Sequence, residues 1–230
     1  MKRKVLLLLF ALSVAVTAPV FAQTDVFLLG FTGFDYEDPN LDTGNYLQVG
    51  DGYKALGFVT SFGPYLQPYV DTGVNEYTFY FYDLTVATRF FAGGVLEVTF
   101  DNNGRGRYFE DSRTSGSPGT YGTNPPNATA PSTFTDGTLA LGGQIDNFAL
   151  VYDFNLDQGN FQGNMTLDEG VDLIYIPSGQ RAGWTLGGLA GRPNATVPQG
   201  YDNQISGECR IPGPTPTTHA TWGALKALYR

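Results

Sequence analysis

The stretch from Thr135 to Leu167 constrains this chain more than any other. Phe148, Leu150, Tyr152, Phe154 and Leu156 alternate with Ala149, Val151, Asp153, Asn155 and Asp157. After Asp157-Gln158-Gly159-Asn160, the residues Phe161, Gly163, Met165 and Leu167 alternate with Gln162, Asn164 and Thr166. Alternation of period two on both sides of a glycine-containing turn predicts an antiparallel hairpin with one buried face. A tight turn centred on Gln158-Gly159 pairs Leu156 with Phe161, Phe154 with Gly163, Tyr152 with Met165 and Leu150 with Leu167. Each inward pair is then apolar or small, and a slip of one residue would expose the whole set. Phe154 would lie over Gly163, an aromatic ring covering a strand glycine.

Weaker strand signals recur along the chain. Asp25–Gly33, Tyr77–Val86, Val171–Ile176, Gly183–Leu189 and Tyr201–Ile211 read as strands, and Leu47–Phe62 holds one or two more before the Gly63-Pro64 turn. Short strands at frequent intervals with Gly- and Asn-rich turns predict an all-β domain over residues 23–211. It is either an antiparallel β-sandwich, jelly-roll-like, or an up-and-down barrel. Frequent breaks and one long loop favour the sandwich.

Phe90–Asp111 reads as a second hairpin, turning at Asn103-Gly104, a favoured type I′ pair. That register sets Glu97 opposite Glu110, and like charges directly across a ladder destabilise it. Either the turn is longer and the register differs, or the two carboxylates share a cation or a proton. Carboxylates ~5 Å apart are also the pair that a retaining glycosidase uses.

The chain opens with Lys2-Arg3-Lys4, an apolar run over Val5–Val16, and Val20-Phe21-Ala22. This is the pattern of a signal peptide over residues 1–22, and the run is short for the ~20 residues of a membrane span. Cleavage of 22 residues from 230 would leave 208, with ten basic residues against 22 acidic ones and a net charge of −12. Such a balance repels phosphate backbones and anionic lipid, so nucleic acid is excluded as a partner and no transmembrane span follows cleavage. Cys209 is the only cysteine, so no disulfide forms within the chain, and it reads as a small core hydrophobe.

Candidate ligand groups fall in three places. Phe34–Asn45 holds Asp35, Glu37, Asp38 and Asp42, a density of hard oxygen ligands suited to Ca²⁺ as a candidate cofactor, or else a solvated acidic turn. Asp153-x-Asn155-x-Asp157 has calcium-loop spacing at its start, but Gln158 and Asn164 stand where such a loop needs Gly and Glu. Tyr80 and Tyr82 share the face of a strand opposite Tyr77, Phe79 and Phe81. Either a loop covers them or they form a stacking platform for sugar rings. Trp184 reads as core or lid, or as part of that platform.

Asp111–Thr135 is a long Ser-, Thr-, Gly- and Pro-rich loop. Its string Pro126-Asn127-Ala128-Thr129-Ala130-Pro131 recurs as Pro193-Asn194-Ala195-Thr196-Val197-Pro198. Asn127 and Asn194 either shape one turn design used twice or build a joint binding surface. His219 has no sequence neighbours from which a triad or zinc site could be assembled.

Residues 212–218 form a Pro/Thr linker, and in 219–230 Trp222, Leu225, Leu228 and Tyr229 fall on one side of a short C-terminal helix. So short a helix is marginal alone and must dock on something. The order of signal segment, β-domain, linker and basic-ended tail resembles, in layout alone, bacterial surface proteins of the PEP-CTERM type. The Pro-Glu-Pro signature and transmembrane helix of that type are missing here. The resemblance implies sorting machinery or the cell envelope as partner of the tail, and no activity. Three functions stay open: a non-catalytic secreted or surface-displayed structural protein, an extracellular module binding glycan or a small ligand, and a carbohydrate-active hydrolase.

Overall fold

The structure, a computed structural model, describes residues 25–38, 46–191 and 197–211. The expected signal segment, Asp42, Asn194, His219, the expected linker and the tail with Trp222, Leu225, Leu228 and Tyr229 lie outside the described residues. Among those described, the chain forms β1 (Val26–Asp38), β2 (Gly52–Phe62), β3 (Asn75–Ala92), β4 (Val95–Phe100) and β5 (Gly104–Ser112). After a long loop come β6 (Thr138–Asp153), β7 (Gln158–Glu169), β8 (Trp184–Gly191) and β9 (Asn203–Ile211). Every pairing is antiparallel.

β4 and β5 follow each other along one lane between β3 and β6. β9 returns to pair with β1, and the sheet closes into an eight-stranded up-and-down barrel. The sandwich is therefore overturned. What reads as a break in the sequence is a bulge inside a long strand: β3 spans 18 residues and β6 spans 16, with left-handed φ values at Asp83 and Asn147. Bulges bend a strand and raise its twist, which closure of a barrel requires.

Both predicted registers change. The β6–β7 hairpin turns over Phe154–Asp157, and Leu150 pairs with Phe161 rather than Leu167, a slide of six residues. The aromatic over Gly163 is Phe148, whose ring would meet a Cβ there at 2.9 Å. The Asn103-Gly104 hairpin does not exist. The turn in that region is Gly93-Gly94, with φ of 62° and 88°, and Asn102-Asn103 is only a kink between β4 and β5. Val171–Tyr175 is a 3-10 turn rather than a strand, and Phe34–Asp38, expected as loop, completes β1.

The faces match the alternation. Along β7, Phe161, Gly163, Met165 and Leu167 are buried and Gln162, Asn164, Thr166 and Asp168 are exposed, the reverse of a lipid-facing barrel. Eight strands leave an interior about wide enough for side chains to fill. Phe31 sits centrally, with ring centroids 4.9 Å from Phe79, 5.3 Å from Phe81 and 6.3 Å from Phe161. Each such ring contributes roughly 1.5–3 kcal/mol by leaving water.

The base of the barrel, where β1 begins, is closed by Leu66 and Ile176 with Trp184. The rim, where β1 ends, is closed by Leu47. A second apolar cluster lies outside the barrel wall. There Tyr121, Ala130 and Phe134 of the long loop cover Phe34, Tyr36, Leu56 and Phe58 of β1 and β2.

Candidate functional site

The rim gathers most of the buried polar groups. Alternation turns Asp35 of β1, Tyr53 of β2 and Asn203 of β9 toward the same interior level. Asp35 accepts hydrogen bonds from the Asn203 backbone N–H (2.6 Å), Asn203 Nδ2 (3.1 and 3.2 Å), Tyr53 Oη (3.1 Å) and Tyr46 Oη (3.4 Å). It is fully buried. Burial, reinforced by the charge of Asp202, pushes its carboxyl up to about 7 against the pull of those hydrogen bonds. Burial likewise raises Glu37 to about 7, with the Asp202 and Asp51 charges acting in the same direction and its bond from the Leu47 N–H opposing.

Together these carboxyls hold residues 46–51 as a plug. Glu37 takes the Leu47 N–H, Asp35 takes Tyr46 Oη, and Asp51 takes the Gln48 N–H at 2.5 Å. The plug then bonds to β3, with Gly50 N–H to Val86 O and Val86 N–H to Asp51 O, both 2.9 Å.

Above the plug, the end of β3 and β4 rises past β2. Phe90 is 62% exposed, Phe91 50%, and Phe91 meets the ring of Phe154 at 6.0 Å. The two turns there are tied together by Phe154 N–H to Gly94 O and Asn155 Nδ2 to Gly93 O. Beside them Leu156 and Leu189 line an open depression of about 410 Å³ with Gly191, Gln204 and Ser206. Arg89 extends over the Phe91 ring at 5.5 Å.

The expected ligand residues are scattered over the fold. Asp35 and Glu37 belong to the rim hub, whereas Asp38 points to the other face and pairs with Lys54. Asp153 shapes its own turn by accepting from the Asn155 N–H and Nδ2. Tyr80 and Tyr82 face outward, with rings stacked at 5.1 Å and 13°. Arg107 lies 5.4 Å over Tyr82. Arg107 and Arg105 are in turn held by Glu169, and Arg105 also by Asp168. Trp184 is buried at the base with Nε1 bonded to Gln180 O, inside the wall that Tyr80 and Tyr82 face away from.

Asn127 uses its whole amide on its own loop. Oδ1 accepts from the N–H groups of Thr129 and Ala130 and from Thr129 Oγ1, and Nδ2 donates to Tyr121 O and Thr123 O. Described residues outside the two repeats bond to each other: Asn124 N–H to Gln199 O, and Tyr201 Oη to Tyr121 O at 2.7 Å.

Glu97 lies opposite Phe90 and Val151, and Glu110 opposite Tyr77 and Thr138. They sit at opposite ends of one lane, ~40 Å apart along the strand path, so they cannot flank one glycosidic bond. Burial raises the thiol of Cys209, which packs in the core.

Sequence reasoning missed Arg89, Phe90 and Phe91, and the partners of Asp35. The signal for the first three was present as Gly93-Gly94, a dipeptide that supplies two left-handed residues for a type I′ turn. Comparison with protein-family models, curated proteins and solved structures found no match. Fold and site together define a closed, filled barrel with an apolar rim.

Proposed function

We propose that this is a non-catalytic structural protein, secreted or displayed at the cell surface, that acts through contacts made by the outside and rim of its barrel. The observation that carries this reading is the filled interior. Phe31, Phe79, Phe81 and Phe161 occupy the space where other small barrels hold a ligand, and Leu47 and Leu66 close the two ends. Contiguous apolar side chains are instead spent on the rim, where soluble monomers rarely leave them exposed. The signal segment supports export, and the tail is the part that this reading assigns to the cell envelope.

The test is a glycan array combined with a reducing-sugar assay over common polysaccharides, using the chain without residues 1–22. The expected result is neither saturable binding nor turnover. Saturable binding abolished by Tyr82→Ala would replace the reading with a glycan-binding one, and turnover would replace it with an enzyme.

A further inference from the structure

Resting on that reading and deepening it, we propose that the rim edge of β3 pairs with the same edge of a second copy of this chain, forming a two-fold dimer through one continuous sheet. Among the described residues, the edge is open on its backbone. Thr78–Thr85 of β3 lie beside β2, and the plug supplies the last bonds on that side, to Val86. Among the described residues, Thr88–Ala92 pair with β4 alone, and Ala87 falls at a bulge. In a hairpin with a two-residue turn, the pair flanking the turn exchanges both backbone bonds, and so does every second pair after it. Ala92–Val95 and Phe90–Glu97 are those pairs here. The N–H and C=O groups of Arg89 and Phe91 therefore point to the open side.

Exposed edges are ordinarily blunted by proline, by charge or by a covering loop. This one reads Ala-Thr-Arg-Phe-Phe-Ala and has a single charge, Arg89. Among the described residues, Arg89 is the one cation with neither a hydrogen bond nor an ion pair, and its Nε is buried without a partner. Lys54, Arg105, Arg107, Arg113, Arg181 and Arg210 each have an oxygen partner. Arg89 has only the face of Phe91.

Self-pairing about a two-fold axis can be centred on Thr88, Arg89, Phe90 or Phe91, and Thr88 leaves as short an overlap as Phe91. Centring it on Arg89 would set two guanidinium groups directly opposite, which destabilises a ladder. Centring it on Phe91 leaves a shorter overlap. Centring it on Phe90 sets Arg89 opposite the partner's Phe91 in a hydrogen-bonded pair and gives each guanidinium a second aromatic face. Phe90 then meets the partner's Phe90 in a non-hydrogen-bonded pair, where side chains approach most closely. Both copies are acidic overall, at net charge −9 for the full chain, so added salt should strengthen the association.

Sedimentation velocity on the chain without residues 1–22, over a range of concentrations, should show a monomer–dimer equilibrium. Phe90→Lys places like charges opposite each other and should raise the dissociation constant at least about tenfold with an unchanged circular dichroism spectrum. Phe90→Cys should form a disulfide-linked dimer under mild oxidation, because Cβ atoms in such a pair lie within disulfide reach. Thr99→Cys, exposed one lane inward on β4, should not. Cys209 is buried and does not compete. A monomer at every concentration, a dimer indifferent to Phe90→Lys, or equal cross-linking at both positions would overturn the proposal. A monomer that also turns over no glycan would sink the dimer alone and leave the non-catalytic reading intact. A dimer that hydrolyses glycan would do the reverse.

Discussion

The two halves of β3 carry similar side chains in different surroundings. From Thr78 to Val86 the strand has a neighbour on each side, and its inward rings Phe79 and Phe81 are sealed in the core. On the outward side Thr78 donates to Phe134 O of the covering loop, and Tyr80 packs against the same cluster. From Ala87 to Ala92 the strand has one neighbour among the described residues, with Phe90 largely exposed and Phe91 half-exposed against Phe154. Composition does not separate the halves, since Phe79-Tyr80-Phe81-Tyr82 and Phe90-Phe91 are equally aromatic. What separates them is whether a second strand arrives to use the backbone. An aromatic residue in a strand is thus core or interface according to its neighbour, and the neighbour is a property of the topology.

The sharpest way to break this comparison is to truncate one ring in each half. Phe81→Ala removes a ring that touches Phe31, Phe79 and Tyr108. The cavity should cost about 3–5 kcal/mol, read as a large fall in denaturant midpoint with an unchanged m-value. A cost below ~1 kcal/mol would mean that the lower half is not packed as described.

A smaller effect should come from the plug, which marks where β3 loses its second neighbour. The carboxyls of Asp35 and Glu37 are raised in the folded protein to about 7, above their unfolded values near 4. Their protonated forms thus favour the fold. That contribution is fully present below pH ~4 and is lost as pH rises through about 7. For the buried Asp35 it is of the order of 2–4 kcal/mol. Stability should therefore fall between pH ~4 and ~7, and Asp35→Asn should flatten the fall. Amide exchange at Gly50 and Val86, whose N–H groups join the plug to β3, should gain more between those pH values than base catalysis accounts for. A flat stability profile in the unmodified protein would mean that the hydrogen bonds from Tyr46, Tyr53 and Asn203 outweigh burial.

Much of this comparison was legible in the residues and part of it could not be. Alternation correctly put Tyr77, Phe79 and Phe81 on one face and Tyr80 and Tyr82 on the other, and placed Leu150, Tyr152, Phe161 and Met165 inward. It misplaced the register because Phe154 and Leu156 continue the pattern into the turn, and a slide of six residues, being even, keeps every side chain on its face. Period two fixes faces and leaves even shifts undecided. Closure depends on β1 meeting β9, a pairing of remote segments with no local signal. For the same reason Asp35 was recognisable as an unusual carboxylate, while its partners Tyr53 and Asn203, brought to it by closure, were not. Gly93-Gly94 and Asn103-Gly104 offer equally good turn chemistry, so local sequence does not choose between them.

The smallest expected effect is the one that sharpens the comparison most. Phe90 is largely exposed, and its neighbours on the outer face are Thr88 and Glu97 rather than core. In a dilute monomer Phe90→Ala should shift stability by no more than ~0.5 kcal/mol, as surface substitutions do. The same substitution should matter more as concentration rises, because a contact made only between folded copies stabilises the fold by mass action. Melting temperature measured over a hundredfold dilution series should therefore rise with concentration in the unmodified chain and stay level in Phe90→Ala. Parallel curves for the two proteins would mean that the upper half of β3 is merely uncovered, and that an open edge in this fold is not a joint.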